Sequence, residues 1–107
     1  MGKIELILEE IKKELENFVK DEIYKYKKEI LEISKEFIEK NNDDIEKWSV
    51  AVSEKRMEQD EFEDLVLNKR DNLELLVLEK IGEGKIRRDK FINSLSKCII
   101  NSIVKSL

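Results

Sequence analysis

The side chains that ordinarily carry chemistry are few in this sequence, and their spacing excludes most of it. Cys98 is the single cysteine, and there is no histidine. That rules out a Ser-His-Asp or Cys-His arrangement and a Glu-x-x-His di-iron motif. Ordinary zinc sites need several Cys or His ligands, which one thiol cannot supply. Carboxylates are abundant, but Glu9, Glu10, Glu14 and Glu16 are interspersed with lysines, the pattern of a solvated helix face. Asn41-Asn42-Asp43-Asp44 has the acidity of a calcium loop without its ligand spacing or central glycine. Gly82-Glu83-Gly84 lacks the rest of a phosphate-binding loop and reads as a helix terminator. Cys98 falls on or beside an apolar stripe, where a thiol is an inert core residue. No catalytic, cofactor-binding or metal-ligating set emerges, no small-molecule substrate is implied, and an enzyme is the least favoured reading.

Charge offers a binding chemistry instead. Residues 85–107 hold Lys85, Arg87, Arg88, Lys90, Lys97 and Lys105 against Asp89, six positives minus one negative, or +5. The whole chain carries −4, so the remainder carries −9. Lys85, Arg87, Arg88 and Lys90 gather at the start of an amphipathic segment, where cations oppose the helix dipole. A basic amphipathic helix can bind an anionic membrane surface or nucleic acid. The plainer reading is a solvated basic face that pairs with the acidic remainder.

The elements that would position these groups are helical. Charged residues make up 43% of the 107 residues, and proline is absent. Apolar residues recur in threes and fours at Ile4, Leu8, Ile11, Leu15, Val19, Ile23, Tyr26, Ile30, Ile33 and Phe37, with no Gly or Pro between them. This spacing predicts one helix over about 3–40, a rod of roughly 57 Å. The Asn41–Asp44 punctuation predicts a short turn and an antiparallel neighbour over about 44–81, either one continuous helix or one broken near 56–60 at Lys55-Arg56-Met57-Glu58. After the glycines, a third helix is expected over about 86–106. The expected fold is all-α, a single domain over 1–107: a long antiparallel helical hairpin plus a shorter third helix.

A third helix of about 20 residues spans only about 30 Å. It would leave the far end of the hairpin uncovered. There, Tyr24, Tyr26, Ile30, Leu31, Ile33, Phe37, Ile38, Ile45, Trp48 and Val52 form an apolar arc wider than a two-helix seam needs. Such an exposed patch marks an interaction surface. The expected function is thus a non-enzymatic helical scaffold, adaptor or assembly protein, partnered by a second copy of itself or another helical protein. The alternatives are a peripheral binder of membrane or nucleic acid through Lys85, Arg87, Arg88 and Lys90, or a small regulator docking on a larger protein. No apolar run approaches the 18 residues of a membrane span, and a lone cysteine excludes an internal disulfide, so a cytoplasmic setting is expected.

Overall fold

Between Lys3 and Lys40 nothing in the sequence breaks a helix, yet the first helix stops after Leu15. The computed structural model describes residues 3–82, 84 and 87–107. In it, α1 (Lys3–Leu15) and α2 (Lys27–Lys40) flank a bend of two 3-10 turns, Glu16–Phe18 and Glu22–Tyr26. Asp21 is extended at the centre of the bend (φ −90°, ψ 155°). Its N–H donates to the Phe18 carbonyl at 2.8 Å, and its carbonyl accepts from the Tyr24 N–H at 3.2 Å. Glu16 clasps the two arms, accepting from Tyr24 Oη at 3.2 Å and from Lys27 Nζ at 3.4 Å.

The predicted 3–40 rod is therefore replaced by a fold-back. Helix propensity is a weak prior that packing overrides. Folding back lets α1 lie against α2 and against α6 (Arg88–Lys105), which buries Ile7, Ile11 and Leu15. The longest extent is 41 Å and the radius of gyration 13.2 Å, the value expected of a compact chain of this length. A 57 Å rod does not exist in it.

The second predicted rod divides as well. α3 (Asn42–Ser53) ends near the expected break, and α4 (Gln59–Leu67) and α5 (Arg70–Lys80) follow. After α3, Lys55 turns left-handed (φ 62°). The Arg56 N–H then donates to the Ala51 carbonyl and the Lys55 N–H to that of Val52, the pattern of a Schellman stop built without glycine. α5 ends on the predicted glycine, with Gly82 at φ 97° and its N–H on the Val77 carbonyl. The N-caps of α3, α4 and α6 are Asn41, Glu58 and Arg87, none with a side-chain capping bond.

Among the described residues the chain is all-α, with no strand. α1 packs on α2 and α6, and α5 packs on α2 and α6, which closes a ring of four helices; α4 leans on α6, and α3 on α4 and α2. Instead of facing residues 44–57, α2 faces α5. Lys80 Nζ reaches Glu36 at 2.9 Å and Asn72 Nδ2 reaches Asn41 Oδ1 at 3.3 Å. One apolar cluster runs through all six helices. Two substitutions check this packing. Phe37→Ala, at a side chain with 0% exposure, lowers unfolding free energy by about 3–5 kcal/mol in a denaturant titration. Lys55→Gly raises it by up to about 1 kcal/mol, since glycine takes the left-handed conformation without steric cost.

Candidate functional site

Of the ten residues expected at an open interface, Ile30, Ile33, Phe37, Ile38 and Ile45 are at most 2% exposed within this single chain. In the single chain they are covered by its own helices. The fold-back is the reason, because α1 supplies the cover that the straight hairpin lacked. Tyr24, Tyr26, Leu31, Trp48 and Val52 are half-buried. Tyr26 meets Phe91 edge to face at 5.8 Å between centroids, and Trp48 carries the Lys69 ammonium 6.0 Å from its ring. The exposed large apolar residues, such as Leu6, Val19, Val50 and Leu75, lie on different elements. Scattered singly, they are ordinary surface.

Cys98 is fully buried, and its thiol is pushed up to about 12 by burial and by the nearby Glu14 charge, so no thiolate is available near neutral pH. Ser34 and Ser49 are buried with hydroxyls that have no hydrogen-bond partner, but neither lines a cavity described below. Among the described residues no group of three potential metal ligands converges. No helix among them is long and apolar enough to cross a membrane.

The basic cluster is brought to a concave surface. Arg87 and Lys90, at the start of α6, face Lys20 and Lys25 of the bend across a depression of about 390 Å³. Asp21 and Glu22 also line it, so four cations meet two carboxylates, a local excess of +2 on a chain of −4. The Arg87 backbone N–H already donates to Glu22 Oε2 at 3.2 Å, which locks the bend to α6. Among the described residues no ion pair engages the side chains of Lys20, Lys25, Arg87 or Lys90. Arg88 turns the other way, onto Glu74 at 3.4 Å, and Lys85 lies outside the described residues. The expected anion-binding set therefore splits, with Arg87 and Lys90 in the cleft and Arg88 engaged with α5.

Lys20 and Lys25 escaped the sequence reading. On a straight rod Lys20 would pair with Glu16 one turn earlier, whereas the bend gives Glu16 to Lys27 and releases Lys20. The charge-rich stretch Lys20-Asp21-Glu22 was the available signal, since Asp is a weak helix former. Arg70 was missed too. Its guanidinium reaches Glu74 at 3.1 Å, Asn93 at 2.8 Å and Asp89 at 3.4 Å, fastening α5 to α6.

A second ionic contact sits at the opposite end of α6. Glu14 is 5% exposed and accepts from Lys105 Nζ at 2.6 Å and Asn101 Nδ2 at 3.2 Å. Burial works to raise the Glu14 carboxyl, but these bonds outweigh it and hold it below its ordinary value of 4.5. Lys105 is correspondingly raised above 10.5 by its hydrogen bond to Glu14.

No protein-family model, characterised protein or solved structure is significantly similar to this chain. Function therefore rests on its own residues.

The Glu14 contact makes a pH prediction. A carboxyl depressed in the folded state stabilises above its unfolded value and loses that stabilisation as pH falls through the folded one. The thermal midpoint should drop as pH is taken below about 4.5, and Glu14→Gln should flatten that part of the profile.

Proposed function

We propose that this chain is a non-enzymatic helical interaction protein that docks on a larger protein by receiving a compact anionic group in the cleft between the bend and α6. The group would be an acidic or phosphorylated side chain. The observation that carries this reading is the gathering of Lys20, Lys25, Arg87 and Lys90, without ion-pair partners among the described residues, around one depression. An otherwise acidic surface gives that cleft the role of the attractive point for an anion.

The shape of the site weighs against the larger polyanions. Nucleic acid presents a line of phosphates, about one per 1.7 Å of duplex axis, and is bound along a basic stripe. A bilayer presents a plane. Here the cations ring a concavity that also holds Asp21 and Glu22, and the rest of the chain repels an extended polyanion. Self-association as a scaffold remains the second reading. It no longer stands on an uncovered hairpin tip, and the observation that favours it is the helical register carried through the bend.

Titration with a poly-glutamate peptide and with a phosphoserine peptide tests the first reading. Saturable binding at low salt is expected, weakening roughly fivefold to tenfold at physiological salt as charges are screened. Arg87→Glu with Lys90→Glu, both at exposed positions, should abolish it while leaving the circular dichroism spectrum unchanged. No binding of either peptide, or binding untouched by the charge reversal, removes the reading. Tighter, steeply salt-dependent binding of duplex DNA transfers the cleft to nucleic acid.

A further inference from the structure

The bend that separates α1 from α2 has little in it that requires a bend. It contains no glycine or proline, and its residues lie outside the left-handed region, which among the described residues only Lys55, Gly82 and Gly84 occupy. Leu15, Val19 and Lys27 already hold right-handed helical dihedrals, while Asp21 (φ −90°, ψ 155°) and Tyr26 (φ −113°, ψ 33°) depart from them. The helical apolar register also passes through without a gap, from Ile11 to Leu15, Val19, Ile23, Tyr26 and Ile30 in steps of three and four. Within this register Val19 is out of place, 55% exposed where it lines the cleft.

From these observations we infer that a second copy of this chain is a partner, reached by straightening residues 16–26 into one continuous helix and exchanging α1 between the two copies. In the exchanged dimer α1 of one chain occupies the place of α1 on the other. Ile7, Ile11 and Leu15 regain the same contacts with α2 and α6. What changes is the connection. The Glu16 clasp to Tyr24 and Lys27 opens, and Glu16 meets Lys20 one helical turn on instead. Two continuous helices then pass each other at the former bends, where the exposed Val19 side chains acquire a partner. The contacts of α1 are the same in both forms, and straightening gives up those of the hinge itself, the buried Ile23 and the Glu22–Arg87 hydrogen bond. A balance set by a short hinge is the condition under which domain swapping is a low-cost route to a dimer.

Cross-linking distinguishes this dimer from one made by docking two intact surfaces. Lys12 of α1 and Lys35 of α2 line the same groove in the folded-back chain. On a continuous helix they would lie about 35 Å apart, too far for a short bismaleimide to bridge. Lys12→Cys with Lys35→Cys is therefore fractionated by size, reacted, quenched with excess thiol and run on a denaturing gel. Native Cys98, being buried, stays in place. The monomer fraction should give an intrachain link, and the dimer fraction covalent dimers.

Two hinge variants set the balance in opposite directions. Asp21→Ala should raise the dimerisation constant roughly tenfold, since each dimer contains two hinges and Asp is the poorer helix former. Lys20→Gly with Asp21→Gly should lower it by roughly thirtyfold. The inference is overturned if Asp21→Ala is monomeric at millimolar concentration by light scattering. It is equally overturned if the dimer fraction carries only intrachain links.

Discussion

The structure depends on one constraint: the apolar arc of α2 is too wide for any single neighbour. Ile30, Ile33, Phe37 and Ile38 spread around the helix, and all are at most 1% exposed. Covering such an arc takes contact from more than one side, and α1 and α5 supply it. With α6 closing the ring, each of these four helices borrows cover from two others. Apart from the 18-residue α6, none of the segments exceeds 14 residues, a length at which isolated helicity is marginal in water, so packing and secondary structure stand or fall together.

Electrostatics then selects among the packings that hydrophobic burial permits. Lys80–Glu36, Arg70–Asp89 and Lys105–Glu14 each join two different helices, and the last includes a carboxylate that is nearly buried. Exposed pairs contribute little individually. Glu14 is different, because its charge has left water and Lys105 and Asn101 must satisfy it. An α6 shifted by one turn would strand it. The same distribution uses up the basic residues of the α5–α6 face and leaves those facing the bend unmatched, which gives the cleft its sign.

The bend is shared by two properties. It supplies Lys20 and Lys25 to the cleft, and within it Asp21 and Tyr26 depart from helical dihedrals. A continuous helix through 16–26 would dismantle the cleft, so an anion bound there and an exchanged dimer are competing outcomes. By linkage, each would weaken the other.

Periodicity and punctuation alone were sufficient for the all-α class, the stop at Gly82 and the third helix that became α6. These are local properties: a 3.6-residue apolar repeat and a glycine at a helix end need no knowledge of neighbours. The break after α3 was visible in the same way, through the polar run at Lys55–Glu58. Where the first long helix bends was not visible, because residues 16–26 retain helical spacing and contain no breaker. Only the tertiary structure decided that Ile33 and Phe37 are buried within their own chain, and that Lys20 and Lys25 join Arg87 and Lys90. Local propensity differs by tenths of a kcal/mol per residue, whereas folding α1 back buries several large side chains at about 1.5–3 kcal/mol each. The larger, non-local quantity chose the fold.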